Sequence, residues 1–104
     1  MAHDDLHVVM CKIMRYLYDC MRAGVRPDAK MISHDALGIP YGYWEAVMRQ
    51  LDSHGFVTGV TRTKAGIVLS SPEVTLEGVE FMGENSAMRK AFDFLQDVRG
   101  IIPV

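Results

Sequence analysis

Along the first fifth of the chain, apolar residues recur at every third or fourth position: Leu6, Val9, Met10, Ile13, Leu17, Cys20 and Met21. That spacing gathers them into one stripe of a helix, predicted over residues 3–22. Lys12, Arg15, Asp19 and Arg22 fall on the opposite, solvated face. Gly24 and Pro27 end this helix. The stretch "MISHDALGIP" then carries the signals of a short helix from about Asp35 to Leu37, with Ser33 as N-cap and Gly38 taking positive φ at the exit. Pro40 suits the first turn of another helix, where a missing N–H costs nothing. Trp44, Val47, Met48 and Leu51 form the buried stripe of that helix and Gly55 closes it. Two helices joined by a glycine-containing turn make a helix-turn-helix, here over about residues 33–55.

After Gly55 the period changes from helical to extended. "FVTGVTRT" and "GIVLSS" are rich in Val, Thr and Ile and are separated by Lys64, Ala65 and Gly66, which predicts a β-hairpin over about 56–71 ended by Pro72. Thr75 is the expected cap of "LEGVEFMGEN", and Ser86 that of a last helix bearing Met88, Ala91, Phe92, Leu95 and Val98. The C-terminal helices span about 75–99. The fold class is α+β: a winged helix-turn-helix with three helices, a hairpin wing and C-terminal helices, forming a single domain over 1–104.

Composition narrows the class without naming a function. Hydrophobic content of 49% and charged content of 23% suit a globular chain. No apolar run approaches the roughly 20 residues that span a bilayer. Asp4 and Asp5 stand where a signal peptide would be basic, so the cytoplasm is the expected location and no membrane partner is expected. Cys11 and Cys20 are nine apart on one helix, on roughly opposite faces, and are read as small buried hydrophobes. Core filling is the first explanation for the eight methionines. A net charge of −2 supplies no general attraction to polyanions.

Two resemblances follow from quoted residues. "LGIP" followed by Trp44, Met48, Leu51 and "GFV" is similar to the helix-turn-helix core of bacterial winged-helix regulators, and "VTLEGVEFM" resembles the Leu-Thr-x-x-Gly helix start that follows their wing. More narrowly, "VTLEGVEFMGENSAMRKAFDFLQDVRG" resembles the C-terminal half of the YjcQ-like family of small bacterial and phage proteins. Thr75, Gly78, Phe81, Met82, Asn85 and Ser86 fall on that family's pattern, whereas "GIIPV" departs from its Trp-containing end. The resemblance implies a winged-helix fold, makes a phage or prophage origin an expectation, and brings no established activity.

In a winged-helix DNA binder the second helix of the motif enters the major groove. With the Trp44 stripe buried, its exposed positions are Tyr41, Gly42, Glu45, Ala46, Arg49, Gln50, Asp52 and Ser53. Base and phosphate contacts favour Arg, Lys, Asn and Gln, so only Arg49 and Gln50 qualify. Glu45 and Asp52 against Arg49 leave residues 41–54 slightly acidic. The wing is better, because Arg62 and Lys64 flank its tip and no acid lies between Phe56 and Ser71. Arg22, Arg26 and Lys30 could add phosphate contacts. The DNA reading therefore rests on Tyr41, Arg49, Gln50, Arg62 and Lys64, with a regulatory role as its natural use.

The alternative is a protein-interaction or phage-associated structural module that binds no DNA. The last helix carries one apolar stripe, with Phe94, Ile101 and Ile102 lying off it or beyond it. A surplus apolar face usually marks an interface, and a homodimer through Phe92, Phe94, Leu95, Ile101 and Ile102 is expected. The competing explanation is that "IIPV" folds back over the core. Enzyme activity is not expected. No Ser–His–acid or Cys–His arrangement, Walker loop or dinucleotide glycine pattern is present. His3 and His7 share a predicted helix face but lack a third ligand, so neither metal nor cofactor is expected.

Overall fold

The computed structural model describes residues 1–97. Its elements run α1 (Leu6–Ala23), a 3-10 turn (Ala29–Ile32), α2 (His34–Leu37), α3 (Tyr41–Ser53), β1 (Val57–Thr63), β2 (Gly66–Val74), α4 (Leu76–Glu84) and α5 (Ser86–Asp97). The class is α+β, as expected, with one two-stranded antiparallel sheet among the described residues.

α1 is the central element and touches α3, α4, α5 and β2. It starts at Leu6 and not at residue 3, because the Asp5 side chain accepts the His7 N–H at 3.0 Å and so caps the helix. His3 therefore precedes the helix and shares no helix face with His7. Gly24, at φ 70°, closes the far end, with the Val25 N–H reaching Cys20 O at 3.0 Å. Lys12 corrects the expectation of a solvated face, since it is only 6% exposed. The neighbouring elements cover α1 on all sides of its N-terminal half, so every residue from Val8 to Met14 is buried. The Lys12 ammonium donates to His3 O at 3.4 Å. Leu6 and Met21, at the two ends of the predicted apolar stripe, lie beyond the core and are exposed.

The short helix and its turn form as the local signals require. The Ala36 N–H donates to Ser33 Oγ at 3.2 Å, and Gly38 takes φ 68°. Pro40 sits one position outside α3, as its N-cap residue. Trp44 ties the motif to the preceding turn by donating Nε1–H to Ile32 O at 2.7 Å.

In the hairpin, Val57 pairs with Val74 and Thr63 with Gly66, leaving Lys64 and Ala65 as the connection. Pro72 does not end β2, which continues to Val74. The register shifts between the Thr58–Glu73 and Val60–Leu69 pairs, where Ser70, Ser71 and Pro72 stand opposite the single residue Gly59. Gly59 (φ 77°) and Ser71 (φ 46°) absorb the bend, and a proline is tolerated where ladder pairing is interrupted. The hairpin base enters the core through Val57 and Val74.

Thr75 caps α4 by accepting the Gly78 N–H at 3.0 Å. α5 corrects another detail. Its cap is Asn85, which accepts the Met88 N–H at 3.0 Å, and Ser86 is already helical. Met88, Ala91 and Leu95 complete the core.

Two outcomes test this packing. A Cβ at Gly78 would stand 2.5 Å from Phe56 O and 2.8 Å from Val74 Cγ2, with backbone on one side. Gly78→Ala should cost at least about 2 kcal/mol in a denaturant titration, as overpacking against groups that cannot retreat does. Burial also pushes the Cys11 thiol up from 9.0 to about 11, opposed by the Arg15 guanidinium. A thiol with a raised folded pKa favours folding fully below pH 9 and loses that advantage as pH rises toward 11. Lys12, whose pKa burial lowers, acts in the opposite direction. The stability difference between the wild type and Cys11→Ala should therefore shrink or reverse between pH 9 and 11, measured by urea unfolding at each pH.

Candidate nucleic-acid interface

α3 and the hairpin lie side by side, and the contact between them is polar. The Tyr41 hydroxyl accepts the Ile67 N–H at 3.1 Å, joining the first turn of α3 to the start of β2. Its ring meets His34 edge-on, with centroids 5.4 Å apart, and lies tilted against Trp44 at 5.5 Å. Gly66 is required beside it, because a side chain there would collide with the Tyr41 hydroxyl. At the other end of α3, Arg62 donates from Nη2 to Ser53 Oγ at 3.1 Å and lies 3.9 Å from Asp52 Oδ2. Two cross-links thus clamp the hairpin along α3.

Between them is a recess of about 340 Å³ walled by Glu45, Arg49, Arg62, Thr63, Gly66 and Ile67. Arg49 and Arg62 share it with one carboxylate, that of Glu45. Lys64 stands exposed on the hairpin connection beyond. Three cations and the two carboxylates Glu45 and Asp52 therefore occupy this side, a small positive excess.

The five residues expected to meet DNA are placed unequally. Arg49 and Arg62 come together in the recess. Lys64 is adjacent in sequence to the recess wall and exposed. Tyr41 is 39% exposed, but its hydroxyl is already engaged by the hairpin. Gln50 lies apart from Arg49, in a second depression shared with His7, His54, Phe56 and Phe81. There His54 Nδ1 is 2.9 Å from Gln50 O and its ring stacks on Phe56, which stacks on Phe81 at 4.5 Å. Of the more distant cations, Arg26 reaches Ser71 Oγ at 3.5 Å, while the Arg22 guanidinium lies 5.8 Å from the Tyr18 ring centre.

The family model for YjcQ protein matches residues 11–101, most of the chain. The chain belongs to the YjcQ family. No curated protein and no solved structure matches it. As a YjcQ-family member it has its α3–hairpin recess and both cross-links inside the matched region.

The residues expected at a dimer interface also separate. Phe92 is 39% exposed. Leu95 is 3% exposed and buried within the chain's own core, and Phe94 is half-buried against it, so neither offers a free face. Ile101 and Ile102 lie outside the described residues. No helix among the described residues is long and apolar enough to cross a membrane.

Sequence reasoning missed the clamp: Asp52 and Ser53 holding Arg62, and Tyr41 holding Ile67. A pairing between residues nine to twenty-six apart leaves no periodic trace. The glycine at 66 was the one local signal, and it read equally well as turn chemistry. Tyr41→Phe removes the acceptor while keeping the ring. It should leave the Ile67 N–H to water and destabilise the chain by about 1 kcal/mol in thermal or urea unfolding, with the loss concentrated in faster amide exchange of the hairpin.

Proposed function

We propose that this YjcQ-family chain is a winged helix-turn-helix protein that binds duplex DNA, with α3 at the major groove and the β1–β2 hairpin as the wing. Regulation of transcription is the use such binding would serve, and the protein acts by binding and not by catalysis. The observation that carries the reading is the clamped placement of the hairpin beside α3. It brings Arg49 and Arg62 into one recess, with Lys64 on the connection beyond.

A second feature supports close approach. Gly42, Ala46, Arg49 and Ser53 recur at spacings of four, three and four on α3, and no atom stands within 4 Å of where a Gly42 Cβ would be. Small side chains there let a helix backbone sit deep in a groove, with Arg49 as the one long donor able to reach a guanine edge or a phosphate. The cost is electrostatic. Glu45 and Asp52 offset part of the positive charge, and Arg62 must exchange Asp52 for a phosphate. Binding is therefore weak and dominated by backbone contacts, with a log–log salt slope no steeper than about −2.7 for three phosphate contacts.

Fluorescence anisotropy with a random duplex, at low and moderate salt, tests this directly. Arg62→Ala combined with Lys64→Ala should weaken binding and reduce the salt slope by about 1.8. Asp52→Asn, which frees Arg62 from its carboxylate, should tighten it. A folded sample that shows no binding at low salt would remove the DNA reading altogether.

A further inference from the structure

The side of the molecule formed by α1, α4 and α5 shares no residue with the α3–hairpin recess, and its chemistry is different. A depression of about 340 Å³ opens there, floored by Tyr18, Val79, Met82 and Phe92. Gly83 lies in its wall with nothing within 4 Å of where a Cβ would stand, so the surface stays open at that point. Leu76 is on the same stripe of α4 as Val79 and Gly83, at spacings of three and four, and is 69% exposed. Met21, three residues after Tyr18 on α1, is exposed as well. An apolar band of this kind on a small chain marks a contact surface.

The charges around the band favour one kind of partner. Arg89 and Asp93 both line the depression, both are exposed, and they stand one helical turn apart on α5 on the side where Phe92 emerges. Among the described residues no ion pair within 4.0 Å joins them. Arg15, the third charge at the rim, is already occupied. It lies 3.9 Å from Asp19 and its guanidinium covers the Phe92 ring at 4.8 Å. A partner with a basic or acidic docking face would meet one attractive and one repulsive charge here. A second α5 approaching antiparallel meets neither conflict, because Arg89 then faces the partner's Asp93 and Asp93 faces the partner's Arg89. Reciprocal pairing of this type is what a two-fold interface requires.

We propose that a second copy of this chain docks on the α1–α4–α5 face, with α5 crossing the α5 of its partner on a two-fold axis near Phe92. The apolar band supplies the buried area, and the Arg89–Asp93 exchange sets the antiparallel register. Leu95 and Phe94 remain inside each protomer and contribute only by holding α5 in place. The proposal does not depend on DNA binding.

Charge reversal tests it in a way that simple loss of association does not. By sedimentation equilibrium, the wild-type chain should show a reversible monomer–dimer equilibrium. Arg89→Asp and Asp93→Arg should each weaken dimerisation roughly tenfold or more, because each sets like charges opposite one another. An equimolar mixture of the two variants should regain the wild-type association as a heterodimer, and the double variant R89D/D93R should regain it alone. Both positions are exposed, so far-UV circular dichroism of each variant should match the wild type. A wild-type chain that stays monomeric at every concentration would overturn the proposal. So would single variants that dimerise as well as the wild type, or folded variants that fail to associate on mixing. Phe92→Glu gives an independent check: it should yield a folded monomer, and a folded dimer would place the interface elsewhere.

Discussion

The complete burial of Val8 to Met14, in the N-terminal half of α1, is the constraint around which the rest of the chain is arranged. A helix with no solvated face through Val8 to Met14 needs cover from several directions, and α3, α4, α5 and β2 all contribute. The cost falls on Lys12, whose ammonium is drawn out of water and whose pKa is lowered by that burial, with Asp4 partly compensating. The N-terminal residues answer this demand. His3 offers its carbonyl to Lys12, Asp5 caps α1, and Asp4 O accepts the Tyr43 hydroxyl at 2.7 Å. The strap that eases a buried lysine is therefore also fastened to α3. Burial beside Asp4 and Asp5 raises the Tyr43 pKa, which keeps that hydroxyl a donor.

With α1 enclosed, the hairpin cannot pack on the centre except at its base, and its outer half must find support elsewhere. It finds α3. The polar groups that provide this support, Tyr41 and Arg62, are among those that chemistry would otherwise assign to a ligand. Position and availability trade against each other here. The clamp brings Arg49 and Arg62 into one recess, but it engages the Tyr41 hydroxyl and screens Arg62 with Asp52. A surface built this way suits modest, salt-sensitive contacts better than tight sequence readout.

α5 shows the same economy away from the α3–hairpin recess. Its inward stripe of Met88, Ala91 and Leu95 is consumed in covering α1. Phe92 is turned just far enough from that stripe to stay partly in solvent, where Arg15 of α1 lies over its ring. One helix thus closes the core with one edge and borders an apolar depression with the other.

The elements themselves were legible in the chain because their causes are local. Ser33, Gly38, Gly55 and Thr75 act on neighbouring N–H and carbonyl groups, and the apolar stripes follow from helical geometry alone. Family membership was legible too, since "VTLEGVEFMGEN" keeps its spacing whatever surrounds it. Three things had no local cause. Lys12 looked solvated until the packing around α1 buried it. Leu95 read as a candidate contact residue until α1 occupied its face, while Phe92 on the same stripe stayed outside. Arg62 and Tyr41 read as available until the hairpin folded back on α3 and engaged them. In each case the deciding contact joins residues distant in sequence, and only the tertiary structure determines which side of an amphipathic helix or hairpin is left for solvent or a partner.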